Sequence, residues 1–216
     1  MKRIDENYFK VDDGMEKNEI EDILSPDEHI LWREKPNKKA YIWSRVFTMF
    51  PIALIWLVID GTFIGVMFGT GIVKEMSFGL VLGLLAFFMI HMTPVWIWLV
   101  SIILGAKEHK NIEYAFTEKR IIIRKGIIGI DFKNIYYTDV QSVNLKVGLT
   151  DKIFHVGDVY IKANHESVVL FDIKNPYEIT TKLQKITLDI KTDIYYPNAL
   201  RPDENPGYNT KYKGDK

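Results

Sequence analysis

The 216-residue sequence contains no cysteine, and this absence removes several kinds of chemistry at once. Without thiols the chain forms no disulfide, no thiolate-ligated metal site and no cysteine nucleophile. It also has no net charge, because 28 lysines and arginines balance 28 aspartates and glutamates. A neutral chain with 47% apolar residues is neither a strongly basic nucleic-acid binder nor a highly charged disordered protein.

Charge is scarce in one continuous part of the chain. Residues 46–106 carry only three of the 56 formal charges, at Asp60, Lys74 and Glu75. A membrane span needs about 20 apolar residues to cross roughly 30 Å of hydrocarbon. Two runs meet this requirement, from about Val46 to Phe68 and from about Phe78 to Leu104. We therefore predict two transmembrane helices, since the second run lacks the polar face that soluble helices usually show.

The short connector between the two runs indicates a helical hairpin, and the flanking cations set its orientation. Nine lysines and arginines flank the runs, whereas the connector has Lys74 alone. The flanking cations are Arg33, Lys35, Lys38, Lys39, Arg45, Lys107, Lys110, Lys119 and Arg120. The positive-inside rule then places both termini in the cytoplasm of a multi-pass cell (inner) membrane protein. No signal peptide is expected, because residues 1–28 hold ten acidic residues and no apolar core.

Glycines recur at four-residue spacing in both predicted spans. The five positions are Gly61, Gly65, Gly69, Gly79 and Gly83. Small residues on one helix face allow two backbones to approach closely. We favour helix packing between the two spans of one hairpin, and homodimerisation through the same face is the second interpretation.

Each predicted span holds one ionisable residue, Asp60 or His91, and such residues inside a bilayer by default suggest function. At a rise of about 1.5 Å per residue, Asp60 lies roughly 21 Å from Val46 and His91 roughly 20 Å from Leu104. Antiparallel spans place them at similar depth, so an intramembrane Asp60–His91 pair is one hypothesis. The interpretation that we favour is that Asp60 and Gly61 begin a polar exit at the outer interface.

After the second run the pattern changes to short β-branched runs separated by brief turns. Six or seven such runs favour an antiparallel sheet folded into a small barrel. A capping box at Asn175 and Glu178 then begins a helix with one apolar stripe from Ile179 to Ile190. This helix is expected to close the open end of the barrel. The last residues, 194–216, have no apolar period and are predicted to be a disordered tail.

Short motifs stand in a fixed order around the predicted hairpin. Before it runs Ile30-Leu31-Trp32, within 24–36, and after it Tyr114-x-x-Thr117-x-x-Arg120-Ile121-x-x-x-x-Gly126. Phe154-x-x-Gly157-Asp158 and Asn175-Pro176 follow. From about Glu21 to Ile190 the chain resembles the bacterial pleckstrin-homology-like membrane proteins of the bPH2 or DUF304 type. It departs from their Phe-Gly-x-Gly pattern at His155, a difference confined to that local turn.

The resemblance implies a pleckstrin-homology (PH) barrel with a C-terminal helix, held at the cytoplasmic membrane face, and it does not imply an enzyme. The expected fold is therefore a two-helix transmembrane hairpin plus a cytoplasmic PH-like small antiparallel β-barrel capped by a C-terminal α-helix. Its expected parts are an acidic leader (1–45), the hairpin (46–106), the PH-like domain (107–193) and the tail (194–216).

Basic residues beside the second span are candidates for membrane-surface contact, because each attracts anionic lipid by about 1 kcal/mol. The candidates are Lys107, Lys110, Lys119, Arg120, Arg124 and Lys125. The interpretation that we favour is ordinary solvated charge together with the topology signal, since Glu108, Glu113 and Glu118 dilute the patch.

No catalytic, cofactor or metal motif is recognisable in the sequence, so we expect none of these sites. The main hypothesis is a non-enzymatic interaction module that acts on protein partners or on the membrane surface. The expected partners are the lipid bilayer and a protein partner or a second copy of the chain, with no nucleic acid and no small-molecule substrate. The alternative is an oligomeric transport or channel component assembled through the glycine-rich face.

Overall fold

The computed structural model describes residues 19–164 and 166–195, so the predicted tail lies outside the described residues except at its first two positions. Its five α-helices are α1 (Lys38–Gly69), α2 (Phe78–His91), α3 (Thr93–Asn111), α4 (Leu149–Phe154) and α5 (Pro176–Tyr195). Its seven strands are β1 (Ile30–Glu34), β2 (Glu113–Thr117), β3 (Arg120–Lys125), β4 (Asp131–Tyr136), β5 (Val140–Lys146), β6 (Val156–Ala163) and β7 (Ser167–Lys174). Short 3-10 helices cover Ile20–Ile23, Ile72–Glu75 and Tyr137–Asp139.

The strands form two antiparallel sheets, ordered β1-β2-β3-β4 and β5-β6-β7. The predicted antiparallel β-domain is therefore present, but its strands make two hydrogen-bonded sheets and not one continuous barrel. In the first sheet Glu34 lies opposite Tyr114, and Arg33 opposite Ala115. This sheet thus includes a strand that the sequence-based division had assigned to the acidic leader.

One apolar core lies between the two sheets and α5. Ile121 of β3, Val159 of β6 and Leu170 of β7 are completely buried in it. Helix α5 lies against β5 and contributes Leu183 and Ile190 of its predicted stripe to the same core. The amphipathic pattern of α5 is therefore satisfied by the domain itself.

All of the long apolar segments are inserted between β1 and β2. By length and composition α1 is apolar enough to cross a membrane, and α2 and α3 together pass the same test as a bent pair. The described part of the chain therefore has one or up to two candidate spans, and the second predicted span is two helices instead of one.

The break between α2 and α3 bends the pair by 52° and has a local cause at Pro94. Proline has no amide hydrogen, so Pro94 cannot donate to the carbonyl of Ile90. The Thr93 hydroxyl donates to that carbonyl instead. The indole of Trp96 donates to the carbonyl of Met89 at 3.1 Å, across the same break.

Candidate functional site

The chain passes between the sheets and the helices twice, and the two crossings lie side by side. Strand β1 ends at Glu34 and α1 begins at Lys38, while α3 ends at Asn111 and β2 begins at Glu113. Because β1 and β2 pair at these ends, they hold α1 next to α3. We call this end of the domain the helix-proximal edge; the ends of β3 and β5 and the starts of β4 and β6 share it.

A polar cluster joins α1 to α3 at the helix-proximal edge. The carboxylate of Glu108 accepts hydrogen bonds from the Tyr41 hydroxyl at 2.9 Å and from Arg45 Nη2 at 2.6 Å. Arg45 also donates to the Tyr41 oxygen at 2.7 Å. The buried Gly105 leaves space for the arginine, since a Cβ there would overlap the Arg45 side chain. The contact between the two helices is therefore stabilised by Tyr41, Arg45, Gly105 and Glu108.

The start of α1 is also tied to the second sheet. The backbone amide of Asn37 donates to the carbonyl of Asp172 at 3.0 Å. The ring of Tyr41 meets Phe171 edge-on, with 6.3 Å between centroids. The Phe171 amide in turn donates to the buried Tyr114 hydroxyl at 3.0 Å. The helices are thus fastened to both sheets and not only to the strands that they interrupt.

Asp151, Asp158 and Asp172 lie near this attachment, and the environment of Asp158 and Asp172 disfavours negative charge. The Asp172 side chain is only 3% exposed. Burial, followed by the negative charges of Asp158 and Asp151, raises the pKa of Asp172 to about 7. Burial also raises the pKa of Asp158, whose carboxylate accepts the Asp172 amide at 3.0 Å. Within residues 19–164 and 166–195, no His, Asp or Glu group is arranged to hold a metal ion.

The structure divides the predicted basic patch into two groups. Lys119 and Arg120 lie at the opposite end of β3 from the helix-proximal edge, about 17 Å along the strand. Arg120 forms a two-point ion pair with Glu28 at 2.8 and 3.0 Å, and Lys119 pairs with Asp27 at 3.1 Å. These two cations therefore hold the acidic leader against the sheet and are turned away from the helices.

Glu28 is 4% exposed, yet its environment favours the charged form. Burial alone would raise the pKa of Glu28, but hydrogen bonds from Arg120, Thr117 and the Ser25 amide, with the charge of Arg120, hold this pKa below its usual range. The pair therefore stabilises the fold wherever the carboxylate is ionised.

The other four cations lie at the helix-proximal edge. Lys107 and Lys110 are exposed on the last turns of α3. Arg124 lies opposite Glu113 in the sheet register, and Lys125 opposite Asp131. The predicted surface therefore consists of Lys107, Lys110, Arg124 and Lys125.

The five glycines of the predicted spans do not mediate a close helix contact within one chain. A Cβ built at Gly61, Gly65, Gly69, Gly79 or Gly83 would meet nothing within 4 Å. The packing interpretation that we favoured from the sequence is therefore not what the structure shows. The close approach of α1 and α3 occurs instead at Gly105. No second glycine lies four residues before or after Gly105.

Asp60 and His91 are in contact, with 2.8 Å between Asp60 Oδ1 and His91 Nδ1. Asp60 is 2% exposed and lies nine residues before the end of α1, so the helix continues well beyond it. His91 stacks on Phe87 at 5.2 Å and is the last residue of α2, so the pair adjoins the break before α3.

Sequence reasoning missed the cluster of Tyr41, Arg45 and Glu108. Tyr41 and Arg45 are four residues apart, a spacing that places two side chains on one helix face and could have linked them. Nothing local links either to Glu108, which is more than 60 positions away. The contact of Asn37 with Asp172 is a backbone hydrogen bond and leaves no trace in residue type.

Comparison with known proteins yields one family. Residues 52–187, well over half of the chain, match the model of a family described as bacterial PH domain. Among solved structures, the chain is similar to a DUF1696 family protein with a pleckstrin-homology domain from Shewanella loihica PV-4. The two share 14% identity with a TM-score of 0.29, over 34% of this chain and 68% of that chain. No curated protein matches the sequence.

Proposed function

Because this chain belongs to the bacterial PH domain family, we propose that it is a two-pass membrane protein whose PH domain is an interaction module at the cytoplasmic face. The module binds protein partners or the membrane surface and performs no catalysis. The observation that carries the proposal is the insertion of α1, α2 and α3 between β1 and β2, which fixes the domain to the ends of the apolar helices.

The exposure of apolar side chains along α1 supports membrane embedding. Large apolar residues are exposed on successive turns, among them Ile55, Val58, Ile59, Phe63 and Val66. Soluble monomers rarely expose contiguous apolar patches larger than a few hundred Å². Lipid contact gives these side chains an apolar environment that the protein itself does not supply.

The backbone at the break supports α2 and α3 as one bent span. In hydrocarbon every backbone polar group needs a partner inside the protein. The carbonyls of Met89 and Ile90 receive side-chain donors from Trp96 and Thr93, so the missing amide of Pro94 is compensated. With two spans, both termini lie on one side, and the flanking cations favour the cytoplasm.

A channel assembled from several copies has less support. Such a pore needs polar side chains along a path, and the ionisable pair available inside the helices is Asp60 with His91. These two groups bond each other within one chain, and Asp60 is almost fully buried. The contact favours a structural role for the pair over a conduction path.

The absence of cysteine permits a direct topology experiment. We expect Lys74→Cys, in the connector, to react with a membrane-impermeant maleimide in intact cells, because in the proposed topology the connector lies on the outer side of the membrane. We expect Lys185→Cys, exposed on α5, to react only after permeabilisation. Labelling of Lys185→Cys in intact cells would indicate the opposite topology. Release of the protein from membranes by alkaline carbonate would refute membrane embedding.

The interaction role is tested by crosslinking in native membranes followed by mass spectrometry. A stoichiometric second protein bound to the domain supports the interaction module. A homo-oligomer that conducts ions in liposomes would instead support the channel alternative.

A further inference from the structure

Two apolar projections extend from the helix-proximal edge, one beside α3 and one beside α1. We propose that both enter the headgroup region of the bilayer, so that the edge of the PH domain contacts lipid directly on either side of the helices. This inference rests on the membrane embedding proposed above.

The first projection is the turn between β3 and β4, residues 126–130. At its tip Ile128 is 96% exposed, which is unusual for an isoleucine held in an ordered hairpin. Gly126 has φ 155°, and a Cβ there would overlap the carbonyl oxygen of Gly129, so this tight turn requires glycine. The turn is therefore a defined structure that presents an isoleucine outward.

A hydrogen bond places this turn against the end of α3. The side-chain amide of Asn111, the last residue of α3, donates to the carbonyl of Gly126 at 3.0 Å. Strand β3 runs towards the helices, so the tip at Ile128 reaches two residues, or about 6 Å, beyond that level. This brings it alongside the last turn of α3, where a span leaves the hydrocarbon.

The second projection is α4, which lies against α1. Leu149 and Ile153 are 83% and 69% exposed and stand four residues apart on one face of this short helix. Asp151 holds the start of α4 by accepting the amide of Gly148 at 2.7 Å. The two exposed side chains therefore point away from the domain on an anchored element.

The surroundings of the two projections favour a lipid surface as the occupant. Both adjoin helices that expose apolar side chains within a few turns of the domain, such as Trp43 and Phe47 of α1 and Ile103 and Leu104 of α3. Exposed cations border the projections, namely Lys107, Lys110, Lys146 and Lys152. Exposed apolar side chains with lysines nearby match the boundary between acyl chains and anionic headgroups.

The test uses the full-length chain with single cysteines, since it has none of its own. Ile128→Cys and Ile153→Cys each carry an environment-sensitive fluorophore, and both sites are exposed, so folding is not disturbed. The matched control is Leu188→Cys, a 58% exposed leucine of α5 near the start of β5, at the opposite end of the domain. The proteins are reconstituted in phosphatidylcholine–phosphatidylglycerol vesicles containing a lipid with a nitroxide just below the headgroup.

We expect fluorescence quenching at positions 128 and 153 to exceed quenching at position 188 several-fold. A fourth variant, Ile59→Cys in α1, reports embedding of the helices themselves. Quenching at 59 with no excess at 128 and 153 over 188 overturns this inference and leaves membrane embedding intact. Quenching at only one of the two projections also overturns it, and absence of quenching at 59 overturns the proposed function.

Discussion

Arg120 and Glu28 form a buried ion pair across 92 positions of sequence, between the acidic leader and β3. The same arginine donates to the carbonyl of Ile23 at 2.8 Å, so it binds the leader at two places. Removing one partner of such a pair leaves a buried charge without compensation, which costs more than the pair itself contributes. The arginine is therefore a structural residue of the domain.

We predict that Arg120→Ala lowers the free energy of unfolding by about 3–5 kcal/mol, because Glu28 is left buried and unpaired. Lys119→Ala is the matched control, since its partner Asp27 is largely exposed, and it should cost under about 1 kcal/mol. Thermal unfolding of the detergent-purified protein measures both. Equal losses in the two variants would contradict the structural role.

Asp172 predicts a dependence of stability on pH. Its pKa is about 7 in the folded chain and 3.8 ordinarily, so between these values the folded state keeps a proton that the unfolded state has released. The free energy of unfolding contributed by this group therefore falls as pH rises from about 4 to about 7, then stays constant.

Asp172→Asn should remove this dependence. Its backbone has φ 53°, a conformation that asparagine tolerates, so the substitution is not expected to strain the chain. Relative to the natural protein, the variant should gain about 2–4 kcal/mol in stability between pH 4 and pH 8. The measurement is the free energy of unfolding of both proteins at each pH. A difference between them that stays constant from pH 4 to pH 8 would refute the buried-charge explanation.

At the level of single residues, the sequence identified important residues more reliably than it predicted their roles. The contact of Asp60 with His91 could be anticipated because helical rise alone places both at one depth. The role of Arg120 could not, since its partner lies in the leader and a sequence does not show which charges converge. For the same reason the predicted basic patch merged cations from both ends of β3.

Among the secondary-structure elements, the contact of α1 with α3 depends on one glycine. Gly105→Ala should destabilise the protein by about 1–3 kcal/mol, because the added methyl group displaces Arg45 from Glu108. Gly65→Ala, where a Cβ meets nothing within 4 Å, should be neutral or stabilising by up to about 1 kcal/mol. Thermal unfolding in detergent distinguishes them, and a comparable loss at Gly65 would mean that its face is packed in an assembly.

The end of α1, the start of α2 and the start of α5 were predictable, since these signals are local in sequence. Helix α1, however, begins at Lys38, before the predicted Val46, and α3 ends at Asn111, beyond the predicted Leu104. Pro94 indicates a kink in the second predicted span, and the 52° bend confirms it. The full division into α2 and α3 was not predictable, because the size of a bend at proline depends on which groups satisfy the freed carbonyls. Strand β1 was not predicted, because its five residues show no alternation of apolar and polar side chains. Its partner strand lies about 80 positions later in the sequence.

For the whole molecule, the insertion of α1, α2 and α3 between β1 and β2 means that these helices can be deleted while both strands are kept. The ends of β1 and β2 are adjacent, so a short glycine linker joining Lys35 to Ile112 can replace the intervening helices. We predict that this shortened chain is recovered from the soluble fraction with antiparallel β-sheet circular dichroism. Its stability should be lower than that of the full chain, because Tyr41 leaves the core.

Recovery of the shortened chain only as aggregates would show that the sheets depend on the helices for folding. The matched control retains the helices and carries the same linker inserted in the connector near Lys74, where the chain is exposed. That variant should remain in the membrane fraction with unchanged stability.

The position of the insertion also orders events during synthesis. Strand β1 leaves the ribosome first, and its ladder partner β2 follows only after both apolar segments, with Arg33 and Glu113 separated by 80 positions. At about 5–20 residues per second, β1 waits several seconds for that partner. The first sheet thus closes only once α1, α2 and α3 have been made. In the proposed two-pass topology, completion of the domain therefore follows the synthesis of both spans.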